Sequence, residues 1–190
     1  MAHIKSSPEV DRPDVQVVAV PFGLDFSEGL DPSKEPGMYL LGYQIRPHTH
    51  SSIHIRDAMP GSQPVIQANY FGDDEDRRVT GAIVDRLREV TVQEPLASKI
   101  EFEEFPGSRV QTPGQVVEFG MSSGITIYHA VGSAAMGTKD DDVVTPDLRV
   151  RGVEGLRVVD ISVLPIQVSG NTAAPAMAIG WRAADLIRNS

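Results

Sequence analysis

Two short stretches carry the side chains best suited to chemistry: His129-Ala-Val-Gly132-Ser133-Ala-Ala-Met136-Gly137 and Ser169-Gly170-Asn171-Thr172-Ala173-Ala174-Pro175. An imidazole changes charge near neutral pH and is the commonest side-chain base. A carboxamide cannot take a proton in that way, but its N–H groups can hold an oxygen and the negative charge developing on it. On local sequence alone each residue has a plainer reading. A lone histidine is more often structural, and an asparagine after Gly170 reads as a helix-leading cap or a left-handed turn residue. Gly132 and Ser133 are small enough to let the backbone pass close to a flat ligand.

The elements around these residues must place them. Between the two stretches, Val143 to Asp160 holds two short β patterns separated by a Gly-containing turn, and Leu156 to Asp160 is read as the second strand. Ile125 to Tyr128 is a short β-like lead-in that delivers His129 at its end. Ala174 to Arg188 is alanine-rich and helical, with Thr172 placed to cap it and Pro175 suited to its first turn. Such an arrangement brings a histidine and an asparagine to the ends of neighbouring elements.

The order His-x-x-Gly-Ser-x-x-Met-Gly, then a block ending Gly155-Leu-Arg-Val-Val-Asp160, then Leu164-Pro165 and Ser169-Gly-Asn-Thr-Ala-Ala-Pro175 before a final helix, resembles the C-terminal signature of the glucose-methanol-choline family of flavin-dependent alcohol oxidases and dehydrogenases. About a dozen positions in fixed order over roughly sixty residues carry the likeness, against which a lone G-x-G would count for little. Weaker similarity runs back to Arg12. The family opens with a strand, a G-x-G-x-x-G turn and a helix that hold the cofactor's pyrophosphate; this sequence has no such motif, so the expectation is the C-terminal portion of such an enzyme.

The resemblance implies an α+β fold. A mixed or antiparallel substrate-domain sheet of about six strands, a usual size, is backed by helices, and a C-terminal strand–helix segment completes a Rossmann-like FAD domain. Residues 1–124 are then the substrate-binding domain and residues 125–190 the catalytic, flavin-contacting segment. His129 becomes the proton acceptor for a CH–OH group and Asn171 the partner that orients the alcohol oxygen. Backbone N–H groups around Thr172, Ala173 and Ala174 face the pyrimidine edge of FAD, Asn171 also contacts the cofactor, and Asp160 reaches the ribityl or phosphate-side hydroxyls, its rival role being a buried carboxylate that caps a neighbouring helix. The partners implied are a small alcohol and a flavin-binding half, in the same polypeptide or a separate subunit. The alternative is a non-catalytic folding or interaction module.

Composition sets outer bounds. The 190 residues are enough for a sizeable core, and 41% hydrophobic content is ordinary. Seventeen Lys and Arg against 26 Asp and Glu leave a net charge of −9, which opposes nucleic acid or an anionic membrane as partner. With no cysteine, disulfides, thiolate catalysis and Cys-ligated zinc are excluded. No apolar run approaches the ~18 residues of a membrane helix, and the expected compartment is the cytoplasm.

Elsewhere, residues 1–13 are polar and expected to be poorly ordered. Val15 to Val20 suits a strand buried on both faces, Phe22 to Gly37 a loop, and Met38 to Ile45, Ser52 to Arg56 and Pro64 to Ala68 further strands. His48, His50 and His54 share the parity of one strand face. Pro47 and the Ser-Thr surroundings argue for an exposed edge, with no carboxylate in the spacing, so no metal site is assigned. Asp73 to Asp76 opens a helix continued by Val79, Ile83, Leu87 and Val90, and Thr112-Pro113 starts a second helix that ends before Gly124.

Overall fold

The computed structural model describes residues 1–25 and 31–189, which divide into two compact units. The first comprises Met1–Thr49 and Phe71–Ile125, the second His50–Tyr70 and Thr126–Ser190. The C-terminal unit thus takes in a segment from the middle of the chain, a grouping that sequence order does not reveal.

In the first unit, strands β1 (Ala2–Ile4) and β2 (Val15–Val20) pair antiparallel, as do β3 (Leu24–Asp25) and β4 (Asp31–Pro32). Strand β5 (Tyr39–Gln44) lies antiparallel on the other side of β2, giving a sheet of order β1-β2-β5. The N-terminus is therefore ordered, contrary to its polar composition. Backbone pairing with β2 holds it, and Ser6, buried, donates from its N–H and hydroxyl to the Asp14 carboxylate at 2.7 and 2.6 Å. Strand β2 is the middle strand; Val15 and Gln16 are fully buried, while Ala19 at the far end is exposed.

Helix α1 (Asp74–Thr91) begins where the acidic run predicts. Asp73 is its N-cap, accepting the Glu75 N–H at 2.8 Å, and three more acidic residues fill the first turn, where the dipole favours them. Val79, Ile83 and Leu87 form one stripe that packs on Val15, Val17 and Ile4 of the sheet. Helix α2 (Pro113–Ser123) starts at Thr112-Pro113 as the sequence predicts, and Gln115 completes a capping box with Thr112. At Gly42 of β5 a Cβ would lie 2.3 Å from Ile83 Cγ2, so helix and sheet approach closely there.

The second unit holds the hairpin of β6 (Ser52–His54) and β7 (Val65–Gln67) and helix α3 (Ala173–Arg188). Its core is Val144, Leu148, Val163 and Ala183, joined by Ile179 and Leu186 of α3. The opposite face of α3 turns Met177 and Trp181 outward, 70% and 80% exposed.

The chain is thus α+β with antiparallel sheets and, among the described residues, three α-helices. Two expectations change. A single sheet of about six strands is replaced, among the described residues, by one three-stranded and two two-stranded sheets. Pro47, Pro60 and Pro64 lie between the strands, where each removes a ladder donor. Leu156 to Asp160 is not a strand in a ladder either; one isolated bridge, Arg149 to Arg157, is its whole β pairing among the described residues, and Leu156 is half exposed. No helix among the described residues is long and apolar enough to cross a membrane.

Candidate active site

His129 stands after an irregular segment, not the β lead-in expected of Ile125 to Tyr128. Tyr128 has φ +59°, a left-handed conformation unusual for a bulky residue, and Gly132 follows at φ +89°. Hydrogen bonds from further along the chain hold this bend. The Gly132 and Ala134 N–H groups donate to the Ser162 carbonyl at 3.1 and 3.0 Å, and the Met136 N–H donates to the Val163 carbonyl at 2.8 Å.

Ser162 belongs to a short 3-10 turn, Ile161–Val163, whose N-cap is Asp160. The Asp160 carboxylate accepts the Ser162 N–H at 2.8 Å. The Ser162 hydroxyl and then its N–H hold the Asp160 carboxyl below the usual aspartate value. Asp160 is exposed, so the expectation of a buried capping carboxylate is corrected in its burial and retained in its capping. Its cap steadies the turn whose carbonyl holds the histidine loop.

The two chemical residues meet. Asn171 Nδ2 lies 3.0 Å from His129 Nε2, and the other ring nitrogen, Nδ1, lies 2.7 Å from Thr172 Oγ1. Asn171 is exposed, His129 partly buried and Thr172 buried. Thr172 does not cap α3 with its side chain, as its sequence position suggests. Its φ −91° and ψ −1° are already helical, whereas a side-chain cap needs the extended backbone seen at Thr112 and Asp73. The hydroxyl turns to the ring instead. No local signal announces this contact, because the partners are 43 residues apart.

The start of α3 is open in a way that suits a flat, electron-rich ligand. The first intrahelical bond runs from the Ala176 N–H to the Thr172 carbonyl at 2.9 Å, so the N–H groups of Ala173 and Ala174 precede the ladder. Both alanines are exposed, and their methyl groups leave the helix end accessible. The dipole there favours negative charge. These residues fit the pyrimidine edge of a flavin.

Of the histidines at 48, 50 and 54, which share strand parity, only His54 lies in a strand. His48 falls in the first unit, His50 and His54 in the second. His48 instead approaches Asp73 and Asp76, with one potential ligand atom of each residue within 4.8 Å of the others. Those carboxylates have structural work: Asp76 accepts the His48 and Thr49 N–H groups at 2.8 Å each, and Asp73 caps α1. A helix N-terminus is also electrostatically unfavourable for a cation.

Known proteins match the chain over nearly its whole length. The family model described as GMC oxidoreductase covers residues 47–180. An oxygen-dependent choline dehydrogenase of Stenotrophomonas maltophilia is 35% identical over 187 residues, covering 97% of this chain and 33% of that protein. An FAD-dependent oxidoreductase from Chaetomium thermophilum superposes with TM-score 0.72 and 30% identity over 80% of this chain and 27% of that one. Pyridoxine 4-oxidase from Mesorbium loti shares the fold, with TM-score 0.84 at 24% identity over 100% of this chain and 37% of that one. The chain spans about a third of the length of these relatives, 27% to 37%. The match over residues 47–180, on top of the histidine and asparagine motifs, makes this chain a member of the GMC oxidoreductase family.

Proposed function

We propose that this chain is the C-terminal catalytic portion of an FAD-dependent alcohol oxidase or dehydrogenase that converts a CH–OH group to a carbonyl. Residues 1–124 then belong to the substrate-binding domain, and residues 125–190 return to the flavin domain and complete its Rossmann-like fold. The observation that carries the reading is the 3.0 Å approach of Asn171 Nδ2 to His129 Nε2 in a member of this family.

The chemistry divides between the two side chains. An alcohol entering between them accepts the Asn171 amide N–H at its oxygen and points its proton at His129 Nε2. The O–H bond breaks with its electron pair left on oxygen, and the proton ends on the imidazole. Asn171 then stabilises the alkoxide, a task for which an amide donor is suited although it cannot act as the base. FAD, when bound, supplies the acceptor for the hydride leaving the same carbon. The residues that would hold it are Asn171, Thr172, Ala173 and Ala174 at the start of α3, with Asp160 directed at its hydroxyls.

The cofactor's pyrophosphate needs a glycine-rich turn ahead of a helix, and the 190 residues contain none. The partner in this reading is therefore a flavin-binding half, in the same polypeptide or in another subunit. Replacing His129 with Ala in the FAD-loaded enzyme tests the reading. Turnover falls ~10²-fold or more while FAD stays bound. Near-normal turnover would remove His129 from the base role.

A further inference from the structure

We infer that Thr172 is a positioning residue that fixes which nitrogen of His129 carries the proton, an inference that rests on the proposed role of His129 as base. The ring is engaged at both nitrogens, with Thr172 Oγ1 at 2.7 Å from Nδ1 and Asn171 Nδ2 at 3.0 Å from Nε2. An amide nitrogen donates and does not accept, so Nε2 presents its lone pair to Asn171. The neutral ring then carries its hydrogen on Nδ1 and donates it to the threonine hydroxyl. A hydroxyl oxygen can accept there, which a methyl group cannot.

Three features suit Thr172 to that task. It is buried at 5% relative exposure, so little water competes for the ring nitrogen. Its hydroxyl is not spent on capping α3. It directly follows Asn171, so one stretch of backbone sets both the group facing the reacting nitrogen and the group behind the ring. When Nε2 takes a proton the ring becomes a cation with hydrogens on both nitrogens, and the bond from Nδ1–H to Thr172 Oγ1 survives unchanged. The ring thus has no need to flip during a cycle. The opposite tautomer would put a hydrogen on Nε2, facing both the Asn171 amide and the substrate proton, and the base would be blocked.

The experiment compares wild type, Thr172→Val and Thr172→Ser in the FAD-loaded enzyme. For histidines bound to metals, losing the partner that orients the ring from behind costs ~10–10²-fold, and the same scale is taken for this ring. Thr172→Val should lower kcat by ~10–10²-fold with KM and FAD content little changed, and Thr172→Ser should restore most of the rate. Long-range ¹H–¹⁵N correlation of labelled histidine supplies a readout independent of turnover. The His129 signals should report hydrogen on Nδ1 in wild type and a mixture of tautomers in Thr172→Val. A wild-type spectrum with hydrogen on Nε2 overturns the inference even if the valine variant fails to fold. So does a folded Thr172→Val enzyme with wild-type kcat while His129→Ala is inactive, an outcome that leaves the base role of His129 standing. Normal turnover in His129→Ala overturns both.

Discussion

Asn171 Nδ2 faces His129 Nε2 at 3.0 Å across 42 residues of sequence, so neither side chain can be changed without altering what the other meets. Removing one hydrogen-bond donor from a developing oxyanion costs ~10²–10³ in rate. Asn171→Ala should therefore slow flavin bleaching by alcohol in stopped-flow by about 10²-fold. Asn171→His, which also presents an N–H, should keep part of the rate. Full activity in both variants would reduce Asn171 to a turn residue.

The second prediction concerns Asp160. Its carboxylate caps the turn whose Ser162 carbonyl receives the Gly132 and Ala134 N–H groups. A lost N-cap costs ~1 kcal/mol, and here the loss also loosens the loop that carries His129. Asp160→Ala should lower both the melting temperature and the turnover of the loaded enzyme. Asp160→Asn, which keeps an acceptor oxygen, should be close to wild type in melting. If the asparagine variant melts like wild type but loses FAD on ultrafiltration, the carboxylate charge serves the cofactor.

Asp76 gives a pH dependence with a definite sign. Burial raises its pKa, but the N–H groups of His48 and Thr49, with the side chains of Thr49 and Gln44, outweigh burial and leave it below the ordinary aspartate value. A depressed folded-state pKa adds stability above the unfolded value of ~3.9, which is lost as pH falls through the folded value. Asp76→Asn turns an N–H donor toward backbone donors and should destabilise by about 1–3 kcal/mol. By denaturant titration the gap to wild type should be flat above pH ~5 and narrow below pH ~4. A gap that widens on acidification would refute this account.

At Gly42 the space for a side chain is already filled. Alanine suits a strand better than glycine by at most ~1 kcal/mol, but its Cβ would fall 2.3 Å from Ile83 Cγ2, a branched atom on a stiff, buried side chain. Overpacking costs ~1–3 kcal/mol, so Gly42→Ala should lower the melting temperature. Pairing it with Ile83→Ala should cost less than the sum of the two single changes, and strict additivity would show that the contact is absent.

What was legible in the sequence was what local patterns determine. The β-branched run of Val15–Val20, the stripe of Val79, Ile83 and Leu87, and the Thr112-Pro113 start of α2 are each set by neighbours within a few residues, and each element forms, although Ala19 of the strand and Val90 at the end of the stripe are exposed rather than buried. The family likeness was legible too, because its motifs lie in fixed order. Pairings across long separations were not. Residues 1–13 read as a polar tail, yet Ala2–Ile4 within them becomes a strand because β2 offers it a backbone edge. Leu156 to Asp160 has a strand's composition, but a ladder needs a neighbour, and within the described residues it finds a single bridge. Thr172 has the sequence context of a cap and spends its hydroxyl on a ring 43 residues earlier. In each case a partner distant in sequence, present or missing, decides the outcome against the local preference.

Helix α3 buries Ile179, Ala183 and Leu186 and presents Met177 and Trp181 outward. Trp181 is the chain's one tryptophan, and it is 80% exposed. The helix that begins beside Asn171 therefore carries its own optical gauge. An indole in water emits at longer wavelength than one enclosed by protein, and no other indole in this chain overlaps the signal. Mixing the chain with a flavin-binding partner should move that emission band to shorter wavelength if the partner covers this side of the helix, and the rate of the shift would time the assembly without a label.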